Sequence, residues 1–138
     1  MDNCIFCKII KKEIPSDIVY EDKHTIAFLD IAPQIKGHTL VVPKHHCRNL
    51  LDAPDDVAQT TILALKKVAN AVKKAVNADG LNVEMNNESA AGQVVFHMHT
   101  HIIPRFEDDS ISLLHNSKKT AISKEETQNI IKSIKQNL

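Results

Sequence analysis

The chain has 138 residues, 43% of them hydrophobic, and its seventeen basic and seventeen acidic side chains cancel. That length suits one domain over residues 1–138 with a modest core, and the balanced charge gives no general field for nucleic acid or an anionic membrane surface. No apolar run approaches the roughly 18 residues of a membrane span, and Met1-Asp2-Asn3-Cys4 lacks the basic start and apolar stretch of a signal peptide, so a cytoplasmic protein is expected.

In chain order, Cys4 to Lys11 reads as a short helix or turn that opens on a C-x-x-C pair, Cys4 and Cys7. With Cys47 the cysteines number three, which argues against a disulfide framework. The pair is then a redox dithiol, two buried thiols, or half of a zinc site that needs two more ligands, for which His46 and His97 are candidates and His45 a competitor. Ile18 to Glu21 and Thr25 to Asp30 read as strands joined by the Asp22-Lys23 turn, and His38 to Val42 as a third strand that Pro43 ends. From Pro54 to Val76 the residues Ile62, Leu65, Ala69, Val72 and Val76 recur at spacings of three and four, predicting an amphipathic helix that Asp52 or Ala53 starts and Asp79-Gly80 stops. Leu81 to Asn86 alternates as a fourth strand.

The segment Phe96-His97-Met98-His99-Thr100-His101-Ile102-Ile103-Pro104 predicts a fifth strand, with His97, His99, His101 and Ile103 on one face and a mostly apolar reverse face. Alternate positions on a strand lie roughly 6.5 to 7 Å apart, and the outer pair about 13 Å, so one tetrahedral metal does not hold all three rings. A divided site is expected: one ring for structure, one for chemistry, one for charge. A neutral imidazole can attack phosphorus near pH 7 while a protonated neighbour offers positive charge, and packing the rings together splits their titration. No G-x-x-x-x-G-K-[ST] loop is present, so phosphate binding falls to the Ala91-Gly92-Gln93-Val94 turn, whose backbone N–H groups can cradle an anion, with Asn86 and Gln93 as further side-chain donors. After Arg105 the pattern fades. Glu107-Asp108-Asp109-Ser110 opens an irregular stretch, and Ser123-x-x-Glu126 predicts a capping box for a last helix carrying Ile130, Ile131 and Ile134, so residues 106–138 read as a tail and helix.

The pattern His97-x-His99-x-His101 followed by two apolar residues and preceded by Ala91-Gly92-Gln93 resembles the histidine-triad (HIT) superfamily of nucleotide hydrolases and transferases. So do Phe28-Leu29-Asp30-Ile31-Ala32-Pro33 and the run Lys36 to His46, in the same order, from about Cys4 to Arg105. The resemblance implies an α+β fold, a five-stranded antiparallel sheet with one long helix and a C-terminal helix, in a homodimer whose sheets join into ten strands. It implies a nucleophilic His99 that forms a nucleotidyl-histidine on the α-phosphate, His101 on the phosphate or leaving atom, and His38 orienting a triad ring. It places Asp30 at the ribose, with Ile31 and Phe6 near the base, and gives Cys4, Cys7, His46 and His97 as zinc ligands. Where relatives often carry a serine or threonine hydroxyl after Gly92-Gln93, this chain has Val94, leaving only its backbone N–H. His101 in place of glutamine favours a hydrolase over a nucleotidylyltransferase. The activity implied is a purine nucleoside phosphoramidase releasing AMP; a dinucleoside polyphosphate hydrolase and a non-catalytic nucleotide-binding regulator are the alternatives. From similar proteins, the C-terminal region is a lid or partner-contacting element, against the plainer reading of a partly ordered tail.

Overall fold

Strands β2 (Thr25–Leu29) and β3 (Thr39–Pro43) are buried at every position, because each lies inside a sheet covered on both faces. The sheet is antiparallel and five-stranded in the order β1-β2-β3-β5-β4, with β1 at Ile18–Glu21, β4 at Gly80–Glu84 and β5 at Thr100–Arg105. The computed structural model describes residues 3–111 and 119–138. Met1 and Asp2, and the continuation of the expected irregular stretch over 112–118, lie outside the described residues. Among the described residues, no helix is long and apolar enough to cross a membrane.

The alternation of a strand assigns each side chain to one of two cores. Ala27, Leu29, Val41 and Ile102 meet Leu65, Val68 and Val72 of helix α2 (Asp55–Ala75) and Ile130, Ile131 and Ile134 of helix α3 (Lys124–Asn137). On the opposite face Ile26, Phe28, Leu40 and Val42 meet Phe6 and Ile9 of helix α1 (Ile5–Ile10). The structure thus has the α+β architecture expected, with α3 as a full member of the larger core. Leu40 is registered against His101, so His101 stands on the α1 face.

The long helix keeps its expected bounds but not its expected start and stop signals, and one strand boundary moves. Helix α2 begins after Pro54, which offers no side-chain cap, because Asp52 is engaged with Asn49 in a reciprocal cap of the preceding turn. It ends at Ala75 with Val76 as its cap, and Asn77 with φ +53° carries the chain out of the helix; Gly80 opens β4 instead. Strand β5 begins only at Thr100, so His101 alone of the three histidines lies in it. Proline ends the regular pairing, and the Pro43 carbonyl accepts from the His97 Nε2–H at 2.8 Å in place of a strand N–H. The lead-in 95–99 is therefore bent, tethered to its neighbour where the Met98 N–H donates to the Cys47 carbonyl at 2.9 Å.

Candidate active site and metal centre

That bend, rather than a flat row, sends the histidines to different neighbours. His97 is wholly buried and turns its Nδ1 toward the start of α1, 3.3 Å from Cys4 Sγ, 3.6 Å from Cys7 Sγ and 3.1 Å from His46 Nδ1. Cys7 Sγ lies 3.3 Å from His46 Nδ1, and one ligand atom from each of the four residues falls within 4.8 Å of all the others. His45, the competitor, is exposed and outside this group. Because Nε2–H of His97 is donated to Pro43, its Nδ1 carries a bare lone pair that faces a second ring nitrogen and two sulfurs. Lone pairs converge this closely only around a shared cation or proton. Two sulfurs and two nitrogens at these separations fit tetrahedral zinc, with Zn–S near 2.3 Å and Zn–N near 2.0 to 2.1 Å. Burial, then the Cys4 side chain beside it, pushes the Cys7 thiol up to about 11, so the thiolate that zinc needs forms only with the metal to stabilise it.

The other two histidines of the motif face a different partner set. His99 donates Nδ1–H to the His97 carbonyl at 2.7 Å, which leaves its Nε2 as an unprotonated lone pair. Phe6 packs edge-on against His99 at 5.1 Å and against His97 at 5.9 Å, so an apolar ring from α1 supports both. His38 just before β3 accepts from the Gln34 N–H at its Nδ1, 3.1 Å away, so its Nε2 carries the proton and donates to His101 Nδ1 at 2.9 Å. His101 therefore presents Nε2–H. Asp30 Oδ2 stands 3.5 Å from His38 Nε2, while Oδ1 accepts from the Ala32 N–H at 2.9 Å. The result is one bare nitrogen and one N–H on neighbouring rings whose centroids are 5.2 Å apart.

Burial lowers the pKa of all four rings: His97 and His101 are pushed down to about 4, and His38 and His99 lie below the ordinary imidazole value. For His101 the neighbouring His38 and His99 and the Lys119 ammonium add to the depression. The free site is thus neutral at pH 7, and the expected protonated neighbour is absent because desolvation outweighs the pull of Asp30.

The remaining expected residues divide. A cavity of about 310 Å³ is lined by Asp30, Ile31, His38 and the Thr120–Ile122 segment, and Ile31 is 89% exposed at its mouth rather than enclosed in an apolar pocket. Gly92 takes φ +91°, and a Cβ there would stand 3.4 Å from Asn86 Nδ2, which keeps that turn tight beside Asn86. Val94 is 83% exposed, and among the described residues its N–H meets no acceptor. Gln93 is not the expected phosphate donor. Its Nε2 donates to the Arg48 and Val95 carbonyls at 2.7 and 3.0 Å, and its Oε1 accepts from Asn49 Nδ2 and the Glu88 N–H at 3.1 and 2.8 Å. With every side-chain hydrogen bond made inside a buried pocket, the amide is a brace. The sequence reading missed its partners Arg48, Asn49 and Glu88, because Arg48 and Asn49 lie 45 and 44 residues from Gln93 and no local pattern joins them to Glu88.

A family model described as the HIT domain matches residues 11–108. The chain is 45% identical over 138 residues to Protein hit of Bacillus subtilis, covering 99% of this chain and 95% of that protein. It is 45% identical over 107 residues to an adenosine 5′-monophosphoramidase of Saccharomyces cerevisiae, covering 78% of this chain and 65% of the yeast protein. The crystal structure of a Zn-bound histidine triad family protein from Mycobacterium smegmatis superposes with a TM-score of 0.85 at 32% identity, covering 98% of this chain and 95% of that one.

Proposed function

Because the chain belongs to the HIT family, we propose that it is a purine nucleotide hydrolase attacking the α-phosphate through His99, most simply a nucleoside phosphoramidase that releases AMP. The observation that carries this is the pair of opposed tautomers: a bare His99 Nε2 beside a His101 Nε2–H, each fixed by a hydrogen bond to its other nitrogen. A neutral, unprotonated nitrogen is the form that attacks phosphorus. As the P–N bond to His99 forms, its ring becomes cationic, and the His97 carbonyl that already accepts its Nδ1–H bonds it more strongly. Breakage of the scissile bond expels the amine. An α-phosphate anion beside His101 raises that ring's pKa, so the ring takes up one proton from solvent as substrate binds, and the departing nitrogen takes a proton through Nε2. Water then cleaves the nucleotidyl-His99 bond, releasing AMP and restoring the bare nitrogen.

Asp30 and Ile31 at the cavity support ribose and base contacts, with Phe6 behind the rings, and Asn86, Gly92, Gln93 and Val94 form the phosphate turn. In that turn Gln93 acts as the brace described above, and the donor is the backbone N–H of Val94. Cys4, Cys7, His46 and His97 would hold zinc. Four protein ligands leave no open position, so what the metal supplies is a cross-link between α1 and the segment leading into β5. Self-association along the free edge of β4, where Val83 is exposed, fits a homodimer. The cancelling charge fits a small-molecule substrate and a cytoplasmic setting.

AMP release from adenosine 5′-phosphoramidate and from diadenosine tetraphosphate, by the unaltered protein and by His99→Ala, tests the proposal. The phosphoramidate is expected to be the better substrate, and His99→Ala to lose on the order of a thousandfold in turnover. Preference for the tetraphosphate supports a polyphosphate hydrolase instead, and AMP binding without product from either compound supports a regulator.

A further inference from the structure

With no hydroxyl at Val94, the Gln93 side chain engaged internally, and the Gly92 and Gln93 N–H groups donated to the Ser89 and Glu88 carbonyls at 3.0 and 3.1 Å, the backbone donor left to a phosphate at this turn is the Val94 N–H, and a backbone donor is only as well placed as its loop. The loop 88–94 stands outside the sheet, yet it contains a strained residue. Glu88 adopts φ +76° and ψ 161°, a region that residues with a Cβ rarely occupy. Such a conformation persists only where its surroundings over-determine it.

They do so from every side. The Glu88 N–H donates to Gln93 Oε1 at 2.8 Å, and its carbonyl accepts from the Ala91 and Gln93 N–H groups at 3.0 and 3.1 Å. Its carboxylate takes Arg48 Nε and Nη2, at 3.0 and 2.8 Å, in a two-pronged bond, and Asn49 Nδ2 at 2.8 Å. The Arg48 guanidinium lies over the Phe96 ring, 4.2 Å from its centroid, immediately before His97. Arg48 is also two residues past His46. One ion pair thus joins the phosphate turn to the segment that carries the histidines. Both partners are about half exposed, and pairs of that kind add little to stability, so the consequence of this one lies in placement.

We propose that Arg48 and Glu88 are positioning residues that hold the 92–94 backbone in its anion-binding geometry, an inference that rests on the function proposed above. It replaces the missing Val94 hydroxyl with rigidity: the bidentate fork fixes the strained corner, and the corner aims the Val94 N–H.

The test measures KM and kcat on adenosine 5′-phosphoramidate, melting temperature, and amide hydrogen exchange over residues 88–95 for the unaltered protein, Arg48→Ala, Glu88→Ala, the double variant and Arg48→Lys. Each single alanine variant is expected to raise KM about tenfold and exchange over 88–95 about tenfold, with kcat within about twofold and the melting temperature within a few degrees. The double variant should be no worse than either single one, since both break the same bond, and Arg48→Lys, which lacks the fork, should fall between. Unchanged KM, additive losses, or a loss of kcat that tracks a fall in melting temperature overturns the inference. An unaltered protein that neither binds AMP nor turns over fails the functional proposal on the first arm, before any variant is compared. Exchange that is then equal in all the proteins also overturns the clamp.

Discussion

At the scale of single residues, the site's chemistry depends on which nitrogen of each ring carries a proton. The protons are set by groups that are not themselves reactive: the Pro43 and His97 carbonyls and the Gln34 N–H. His38→Ala removes the donor to His101 Nδ1 and frees that ring to adopt the other tautomer; kcat should fall by about tenfold to a hundredfold with KM nearly unchanged. Burial lowers the His99 pKa, so the proposed nucleophile stays unprotonated below the ordinary imidazole range. The acid limb of kcat/KM for the phosphoramidate should accordingly lie below pH 6.5, and a limb at or above that value would contradict a buried nucleophile. The residue types were legible from the alternation of three histidines alone. Their tautomers were not, because each depends on a backbone group brought in by another part of the fold.

At the scale of elements, the sequence periodicities located every strand and both longer helices, while a capping signal and the start of β5 changed where a tertiary contact competed with a local one. Asp52 was available as a helix cap by position, yet Asn49 engages it. Gly37 shows the converse, a local requirement enforced by packing. It takes φ +87° in the turn before β3, and a Cβ there would stand 3.0 Å from Val76 Cγ1 and 3.2 Å from Pro104 Cγ. Gly37→Ala should destabilise the protein by about 2 to 3 kcal/mol, combining backbone strain with overpacking, and urea denaturation measures it. Since that turn carries His38, activity should fall with it. Helix α3 contributes the fully buried Ile134 to the core it shares with α2. Ile134→Ala is expected to cost about 2 to 5 kcal/mol in the same experiment, and a cost near zero would mean that α3 is dispensable to the fold.

At the scale of the whole molecule, the buried neutral histidines make the folded state acid-sensitive. Free imidazole titrates near 6.5, whereas burial holds His97 and His101 near 4. Between those values the unfolded chain binds protons that the folded one does not, so stability rises with pH through the window. The contribution is fully present above about pH 6.5 and is lost as the pH falls toward 4, at up to about 2 to 3 kcal/mol per pH unit for the two groups together. Thermal melts between pH 7.5 and 4.5 should show a steep decline, and a flat profile would be incompatible with two rings held neutral by burial. Chelation should act in the same sense if zinc joins α1 to the histidine segment: a strong chelator at neutral pH is expected to lower the melting temperature and Cys4→Ser to abolish that response. The exposed Val83 on the edge strand gives the corresponding test of assembly, with Val83→Lys expected to shift a dimer toward monomer in sedimentation velocity.

The sequence by itself determined the order of strands and helices and which histidines and cysteines are candidates for the site, because alternation, helical spacing and residue type are local properties; their proposed roles came from the resemblance to the family. The different surroundings of the three histidines were decided by the tertiary structure, since Pro43 ends one strand and the next begins late, sending His97 to the cysteines and leaving His99 and His101 together. The role of Gln93 was decided there too. A glutamine after a glycine turn reads as a ligand donor, and only the arrival of Arg48 and Asn49, 45 and 44 residues away in sequence, beside the nearby Glu88 makes the buried amide a brace.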